Sequence, residues 1–259
     1  MAEYKPEIYW SEVAEEIKRR GESYIAGDDN PYYRYKRRMF LKNFLDTVDF
    51  QDRTVLEVGF GPGGNLKHIA THHRPRKLRG VDVSPKMLEI ASKNLSSYDV
   101  ELENIDGMHI PYEDQSIDTT FTVTVLQHDT DATMFRSIVR DICRVTRTTV
   151  VLMEDIGRST TLGGENNWIG RSVDVYKSIV AEHGFQWVES RFLNTRISRV
   201  WQDRVSAAYH RVLRKHHEEG EPIGGVLKGL IGLPLPLTAI LDRVFVEEQS
   251  LAKMTFHRV

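Results

Sequence analysis

Between residues 53 and 193 the sequence alternates β-strand patterns with helix patterns. Short apolar runs at Val55–Val58, Ile117–Leu126 and Thr148–Glu154 have the length and composition of buried strands. Amphipathic segments separate these runs, and one of them begins with the helix-start pair Ser84-Pro85 while another ends at Gly184. Five or six such βα units, each of about 25 residues, predict a parallel sheet with helices on both faces.

Two further regions lie outside this alternation. Residues 1–50 contain two amphipathic helices, and residues 195–249 interrupt the pattern before a last strand at Ser250–Arg258. We therefore predict a helical cap (1–50), an α/β core (51–194), an insertion that forms a lid or a dimer surface (195–249) and a final core strand (250–259). The other predicted strands of the core are Lys77–Asp82, Val100–Ile105 and Phe185–Phe192.

The bulk composition excludes several classes of protein. A net charge of −2 gives no basic field, so no nucleic acid partner is expected. The single cysteine, Cys143, cannot form an internal disulfide and fits a reducing compartment. The sequence has no apolar signal core and no apolar run of about 18 residues, so we expect a cytoplasmic protein without a transmembrane segment.

A glycine-rich loop follows the first predicted strand. Residues 54–64 read Thr-Val-Leu-Glu-Val-Gly-Phe-Gly-Pro-Gly-Gly and lead into a helix from about Asn65. Glycines at such a turn let a nucleotide approach the main chain closely. Read as Gly59, Gly61 and Gly64, the loop is typical of a dinucleotide site; with Glu57 and Gly63 included, it is typical of an S-adenosylmethionine site.

Polar residues stand at the carboxyl ends of the other predicted strands, where open parallel sheets bind ligands. Asp82 ends the second strand and is placed to accept both hydroxyls of a ribose. Asp106 follows the third strand and is expected to face an adenine amino group. Leu126-Gln127-His128 end the fourth strand, and Glu154 ends the fifth. Together these positions predict one concave, acid-lined site.

These motifs resemble those of class I S-adenosylmethionine-dependent methyltransferases. Residues 55–64 resemble the first motif of that family, and Gly80–Leu88 resemble the second, which carries the ribose-binding acid. Asp106-Gly107 and the segment through Asp118 resemble the third and fourth. The resemblance implies a Rossmann-like, seven-stranded, mostly parallel sheet with S-adenosyl-L-methionine as the cofactor.

The expected cofactor-binding residues come from these motifs and from the second cap helix, whose aromatic and basic residues are suited to cover the methionine moiety and pair its carboxylate. They are Glu57, Gly59, Gly61, Gly63, Asp82, Val83, Met87, Asp106, Gly107, Met108, Leu126, Gln127, Tyr33 and Arg37.

Methyl transfer requires a base only when the acceptor keeps its proton, and His128 and Glu154 are the candidate catalytic residues. Packing against the cofactor is the alternative role for His128, and holding a loop is the alternative for Glu154. The histidines His72 and His73 are interpreted as surface residues, and no metal site is expected.

Two other functions remain open at this stage. A non-catalytic, methyltransferase-like protein would bind the cofactor without turnover. An NAD(P)-dependent oxidoreductase is less consistent with the sequence, because Glu57 stands where dinucleotide folds usually carry an apolar residue and the chain lacks a second nucleotide-binding half.

The appended regions must select the acceptor, for which a small or lipid-like molecule is expected. The apolar stretch Val226–Leu241, with Pro234 and Pro236, is consistent with a lid, a homodimer surface or a peripheral membrane contact. The loop Gly157–Gly170, with Asn166, Asn167 and Trp168, is long enough to line the same pocket.

Overall fold

The computed structural model describes residues 5–19, 21, 24, 30–157, 161–162, 167–213, 225–245 and 251–259. The helices are α1 (Pro6–Arg19), α2 (Pro31–Asn43), α3 (Gly64–His72), α4 (Pro85–Asn94), α5 (Ala132–Val145), α6 (Val173–Ala181), α7 (Arg196–Leu213), α8 (Gly225–Gly232) and α9 (Leu235–Val244). The strands are β1 (Thr54–Val58), β2 (Lys77–Asp82), β3 (Glu101–Asn104), β4 (Ile117–Val123), β5 (Thr146–Asp155), β6 (Thr161–Leu162), β7 (Ile169–Gly170), β8 (Phe185–Phe192) and β9 (Leu251–Arg258). Two short 3-10 helices cover Leu45–Thr47 and Leu126–His128.

Seven strands form one sheet in the order β3-β2-β1-β4-β5-β9-β8. The pairs from β3 to β5 are parallel, and β9 runs antiparallel to both β5 and β8. The predicted seven-stranded, mostly parallel, Rossmann-like sheet is thus confirmed. The strand order reverses between β1 and β4, and the crevice above that point is where open α/β sheets bind their ligands.

Helices cover both faces of the sheet because its strands are apolar on both sides. Val150 and Leu152 of β5 pack with residues of α5 and α6. The alternate residues Val151 and Met153 pack on the other face, with residues of α2, α3 and α4. This alternation follows from the period of two along a strand, and it makes β5 a central strand of the core.

Several predicted boundaries differ from the structure. Strand β4 ends at Val123 rather than Leu126, because Thr124 adopts a positive φ of 54° and turns the chain into the short helix Leu126–His128. Strand β3 is shorter than Val100–Ile105, β5 begins two residues earlier than expected, and a small β6–β7 hairpin lies in the long loop. Ser250, the expected start of the last strand, lies outside the described residues.

The predicted apolar stretch in the insertion forms two helices. Pro234 and Pro236 stand at the start of α9, where proline is tolerated because the first helical N–H groups need no partner. Within the described residues no single helix is long and apolar enough to cross a membrane. Helices α8 and α9 together reach that length and composition, but the pair is bent by 40°.

The cap and the insertion pack against each other and against the core. Ala14 and Ile17 of α1 contact Met87 of α4. Tyr32 and Tyr35 of α2 form an apolar cluster with residues of α8, chiefly Leu227 and Ile231. Helix α2 therefore bridges the sheet and the insertion, and it holds both next to the crevice of the sheet.

Candidate functional site

The loop between β1 and α3 forms one wall of a cleft of about 1070 Å³ at the strand-order reversal. Gly59 and Gly61 line the cleft and have positive φ angles of 76° and 52°. A Cβ atom on Gly59 would lie 2.3 Å from Val125 Cγ2, so glycine is required there by both conformation and space. Gly63, with φ of 86°, precedes the first residue of α3 and does not line the cleft.

Asp82 is joined directly to this loop. Its carboxylate accepts hydrogen bonds from Gly61 N at 2.8 Å and from Ser84 N at 2.9 Å. Burial nevertheless raises the pKa of Asp82 to about 6, from its ordinary 3.8. Asp82 lines the cleft at the end of β2, so an ionised carboxylate is available there near neutral pH.

Glu57, Asn65 and Arg37 form a chain of hydrogen bonds on the other side of the loop. Asn65 donates from Nδ2 to Glu57 Oε1 at 2.6 Å, and Arg37 donates from Nη1 to Asn65 Oδ1 at 2.5 Å. Glu57 is fully buried, which raises its pKa to about 8, and its Oε2 has no hydrogen-bond partner among the described residues. Arg37 and Asn65 line the cleft, whereas Glu57 lies behind them.

The side of the cleft expected to hold an adenine is apolar. Val83, Met87, Ile105 and Gly107 line it. Asp106 does not: its carboxylate is exposed and accepts hydrogen bonds from Met108 N and His109 N, both at 2.8 Å, because it closes a local turn. Met108 is exposed as well and lies outside the lining.

His128 lines the cleft from the short helix Leu126–His128 that follows β4. Its Nδ1 lies 2.8 Å from the carbonyl oxygen of Asn167, and its ring meets Trp10 edge to face at 4.9 Å. Gln127 contacts the other ring nitrogen of His128. The Oε1 atom of Gln127 accepts a hydrogen bond from Asp155 N at 2.8 Å, and this orientation places Gln127 Nε2 3.4 Å from His128 Nε2. Burial lowers the pKa of His128, so the ring is neutral at pH 7 with its Nδ1 as the donor.

Glu154 is not brought to the cleft lining. It is fully buried and accepts two hydrogen bonds, one from Thr122 Oγ1 at 2.6 Å and a longer one from the backbone N of Gln127 at 3.4 Å. Burial raises its pKa to about 8. Gln127 and Leu126 are buried behind the lining too, so this group of residues supports the segment that presents His128.

Several lining residues were not foreseen from the sequence. Pro6 and Trp10 of α1 cover the cleft, together with Tyr24, Thr124 and Asp129. Trp10 belongs to the apolar face of α1, and in the sequence such a face indicates packing rather than a ligand site. Tyr33, the expected cover residue, lies instead at the edge of the apolar cluster of α2 and the insertion, 5.4 Å from the ring of Tyr32.

A second cavity of about 690 Å³ lies beside the end of β5. Asp155 and Trp168 line it, next in sequence to Glu154 and to Asn167, the hydrogen-bond partner of His128. Three basic side chains from α2 and α7 also line this cavity: Lys36, Arg196 and Arg199. The cavity is therefore predominantly cationic. Asn166, which was also expected near this site, lies outside the described residues.

Three possible metal ligands lie close together in the structure, a grouping that the sequence spacing did not indicate. Asp46, His68 and His73 place their ligand atoms within 4.8 Å of one another. Asp46 Oδ1 lies 2.6 Å from His68 Nε2 and 3.1 Å from His73 Nε2, so the carboxylate already partners both rings. Sequence spacing missed the group because Asp46 belongs to a different element from the two histidines.

Comparison with known proteins agrees with this geometry. Residues 55–149, which carry the glycine loop, Asp82 and His128, match the family model described as a methyltransferase domain. Residues 55–149 are therefore similar to a methyltransferase domain, and the match leaves more than half of the chain uncovered. The domain contains most of the cleft lining, while α1, α2 and the insertion lie outside the matched segment.

Two curated relatives align with the domain and its flanks. An uncharacterised 37.1 kDa transposon protein of Streptomyces fradiae is 34% identical over 112 residues, which cover 41% of this chain and 32% of the relative. Ajmaline N-methyltransferase of Rauvolfia serpentina is 25% identical over 121 residues, covering 44% of this chain and 40% of the relative. The chain thus spans well under half the length of these relatives.

The fold extends beyond the matched segment. Phosphoethanolamine N-methyltransferase 2 of Haemonchus contortus, solved with phosphomonomethylethanolamine and S-adenosylhomocysteine, superposes with a TM-score of 0.60. The superposition covers 95% of this chain and 56% of that chain, at 18% identity. At this identity the likeness establishes the shared fold of the methyltransferase domain and its neighbouring elements.

Proposed function

We propose that this protein is an S-adenosyl-L-methionine-dependent methyltransferase that transfers a methyl group to an O, N or C atom of a small or lipid-like acceptor. The observation that carries the proposal is the hydrogen bond between the glycine loop and Asp82, in which Gly61 N donates to the carboxylate inside the cleft. An acid held against a glycine loop suits a ribose next to a closely approached main chain. The methyltransferase domain match supports the same reading.

The residues that line the cleft would hold the cofactor. Asp82 would accept hydrogen bonds from the ribose hydroxyls, and Val83, Met87 and Ile105 would flank the adenine. Arg37, held by Asn65, would pair with the methionine carboxylate. Trp10 would exclude water from the reacting end. S-adenosylmethionine supplies a methyl carbon that is already attached to a good leaving group. The protein therefore has mainly to align the reacting atoms and to exclude water.

The acceptor would enter beside His128. A neutral imidazole with its Nδ1 bonded to Asn167 keeps its acceptor lone pair on Nε2, which would exchange the long 3.4 Å contact with Gln127 for an acceptor hydroxyl or ammonium group and take its proton. The neighbouring cationic cavity favours an acceptor that carries an acidic group, which Lys36 and Arg199 would attract. Glu154, buried behind this segment, would act by positioning it.

Calorimetry with the purified protein tests the cofactor assignment. S-adenosylhomocysteine is expected to bind at least about tenfold more tightly than NAD or NADP, and the variant Asp82→Ala is expected to lose that binding while it keeps its circular dichroism spectrum. Tighter binding of NAD or NADP, or unchanged affinity in Asp82→Ala, would reject the proposed cofactor site.

Turnover is tested separately with S-adenosylmethionine labelled in the methyl group. A panel of amines, alcohols and carbon acids, each with and without a carboxylate or phosphate, is expected to yield labelled product best from the acidic members. Binding of the cofactor without label transfer to any acceptor would instead identify a non-catalytic, cofactor-binding protein.

A further inference from the structure

Helices α8 and α9 present a continuous row of large apolar side chains to solvent. The row, here called the apolar stripe, consists of Val226, Leu230, Leu233, Leu237, Ile240, Val244 and Phe245. Its members are 46% to 82% exposed, and the first six recur every three or four residues. Within each helix that spacing keeps Val226 with Leu230, and Leu237 with Ile240 and Val244, on one side, so the stripe combines the exposed faces of two helices that meet at a 40° bend beside Leu233.

The opposite face of the pair is fixed to the protein. Leu227 and Ile231 pack against α2, and Asp242 is buried. The Asp242 carboxylate accepts hydrogen bonds from Ser198 Oγ at 2.6 Å, from Ile197 N at 2.7 Å and from the Tyr35 hydroxyl at 3.3 Å. A helix pair held in this way cannot cross a bilayer without leaving these partners. Contact through its outer face alone needs no such rearrangement.

The charges of the helices around the stripe are strongly asymmetric. Helices α8 and α9 carry Lys228 and Arg243, and their one acid, Asp242, is buried, while α7 adds the exposed Arg204 and Arg211 against the exposed Asp203. The exposed charge of the helices that carry and adjoin the stripe is therefore positive.

We propose that the apolar stripe docks onto an anionic lipid surface. Shallow burial of one apolar helix face, combined with basic side chains near the head groups, is the physical pattern of interfacial membrane binding. Trp201, partly exposed and bonded through Nε1 to the carbonyl of Leu230 at 3.2 Å, provides an amphipathic ring at the border of the stripe. A second copy of this chain is the less favourable partner, because two such basic surfaces would repel each other.

Vesicle sedimentation of the full chain tests the proposal. The protein is expected to pellet with phosphatidylcholine vesicles that contain about 30% phosphatidylglycerol, less with phosphatidylcholine alone, and less again at high salt. The double variant Leu233→Glu/Leu237→Glu is expected to bind the anionic vesicles at least about tenfold more weakly, because it places two charges in the stripe. Val188→Glu, which changes an exposed valine of β8, is the matched control and is expected to bind as the wild type does.

Two companion measurements keep the result interpretable. Unchanged affinity for S-adenosylhomocysteine and an unchanged thermal midpoint show that the double variant is folded, and vesicle binding itself requires no methyl transfer. The proposal is overturned if the wild type fails to pellet, or if the double variant binds as well as Val188→Glu. It is also overturned if light scattering shows a wild-type dimer that the double variant dissociates, because the stripe would then be a contact between copies.

Discussion

At the scale of single residues, His128 is the proposed proton acceptor. Asn167 and Gln127 fix its tautomer, while burial lowers its pKa below the usual 6.5. We expect its Cε1 proton to titrate below pH 6.5 in an NMR experiment. A low pKa keeps the ring in the basic form at neutral pH, so turnover that uses this base should rise with pH through that value and then level off.

The variant His128→Ala is expected to lower turnover by about 10²-fold or more and to remove the rising limb of the pH profile, while affinity for S-adenosylhomocysteine stays within a few-fold of wild type. Equal turnover in the variant would limit His128 to packing against Trp10. A collapse of cofactor affinity would indicate that the ring holds the ligand rather than the proton.

The sequence predicted only in part which residues at the strand ends reach the cleft. The positions of Asp82 and His128 follow from strand ends and motif spacing. The side-chain directions of Glu154 and Asp106 do not. Glu154 turns inward because Thr122 and the Gln127 amide offer it hydrogen bonds, and Asp106 turns outward to close its own loop. Such local competition for hydrogen bonds leaves no signal in the spacing of residues.

At the scale of elements, helix α2 connects the insertion to the cofactor side of the cleft. One turn of the helix carries Arg37, largely buried against Asn65 and the cleft, and Arg38, exposed to solvent. Arg37→Ala is expected to weaken S-adenosylhomocysteine binding about tenfold or more, because a charge-assisted hydrogen bond to the ligand carboxylate is lost. Arg38→Ala, its neighbour of identical chemistry, is the control and is expected to leave calorimetric affinity unchanged.

Equal affinities of these two variants would show that α2 does not contact the ligand.

The core elements were predictable from the sequence, because strands buried on both faces and a capped helix such as α4 have strong local signals. The packing of α1 over the cleft was not. The apolar face of α1 is equally suited to any apolar partner, and only the tertiary structure brings Trp10 to His128.

At the scale of the whole molecule, two buried carboxyl groups make stability depend on pH in an unusual direction. Burial raises the pKa values of Glu57 and Glu154 to about 8, from 4.5 in the unfolded chain. Between these values the folded protein keeps protons that the unfolded chain releases. Each group therefore makes the free energy of unfolding fall as pH rises from about 5 to 8. Most paired surface carboxylates act in the opposite sense and at lower pH.

The variant Glu154→Gln isolates this effect, because its neutral amide has no proton to lose. Relative to wild type, its free energy of unfolding in urea is expected to improve by about 1 kcal/mol for each pH unit between 5.5 and 7.5. The variant can be less stable than wild type at pH 5, where the wild-type carboxyl is already neutral and well packed, so the diagnostic quantity is the slope of the difference and not its sign. A difference that does not change with pH would mean that Glu154 is ionised in the folded protein, paired with a cation or water. The segment that carries His128 would then rest on a charge rather than on a neutral hydrogen-bonded acid.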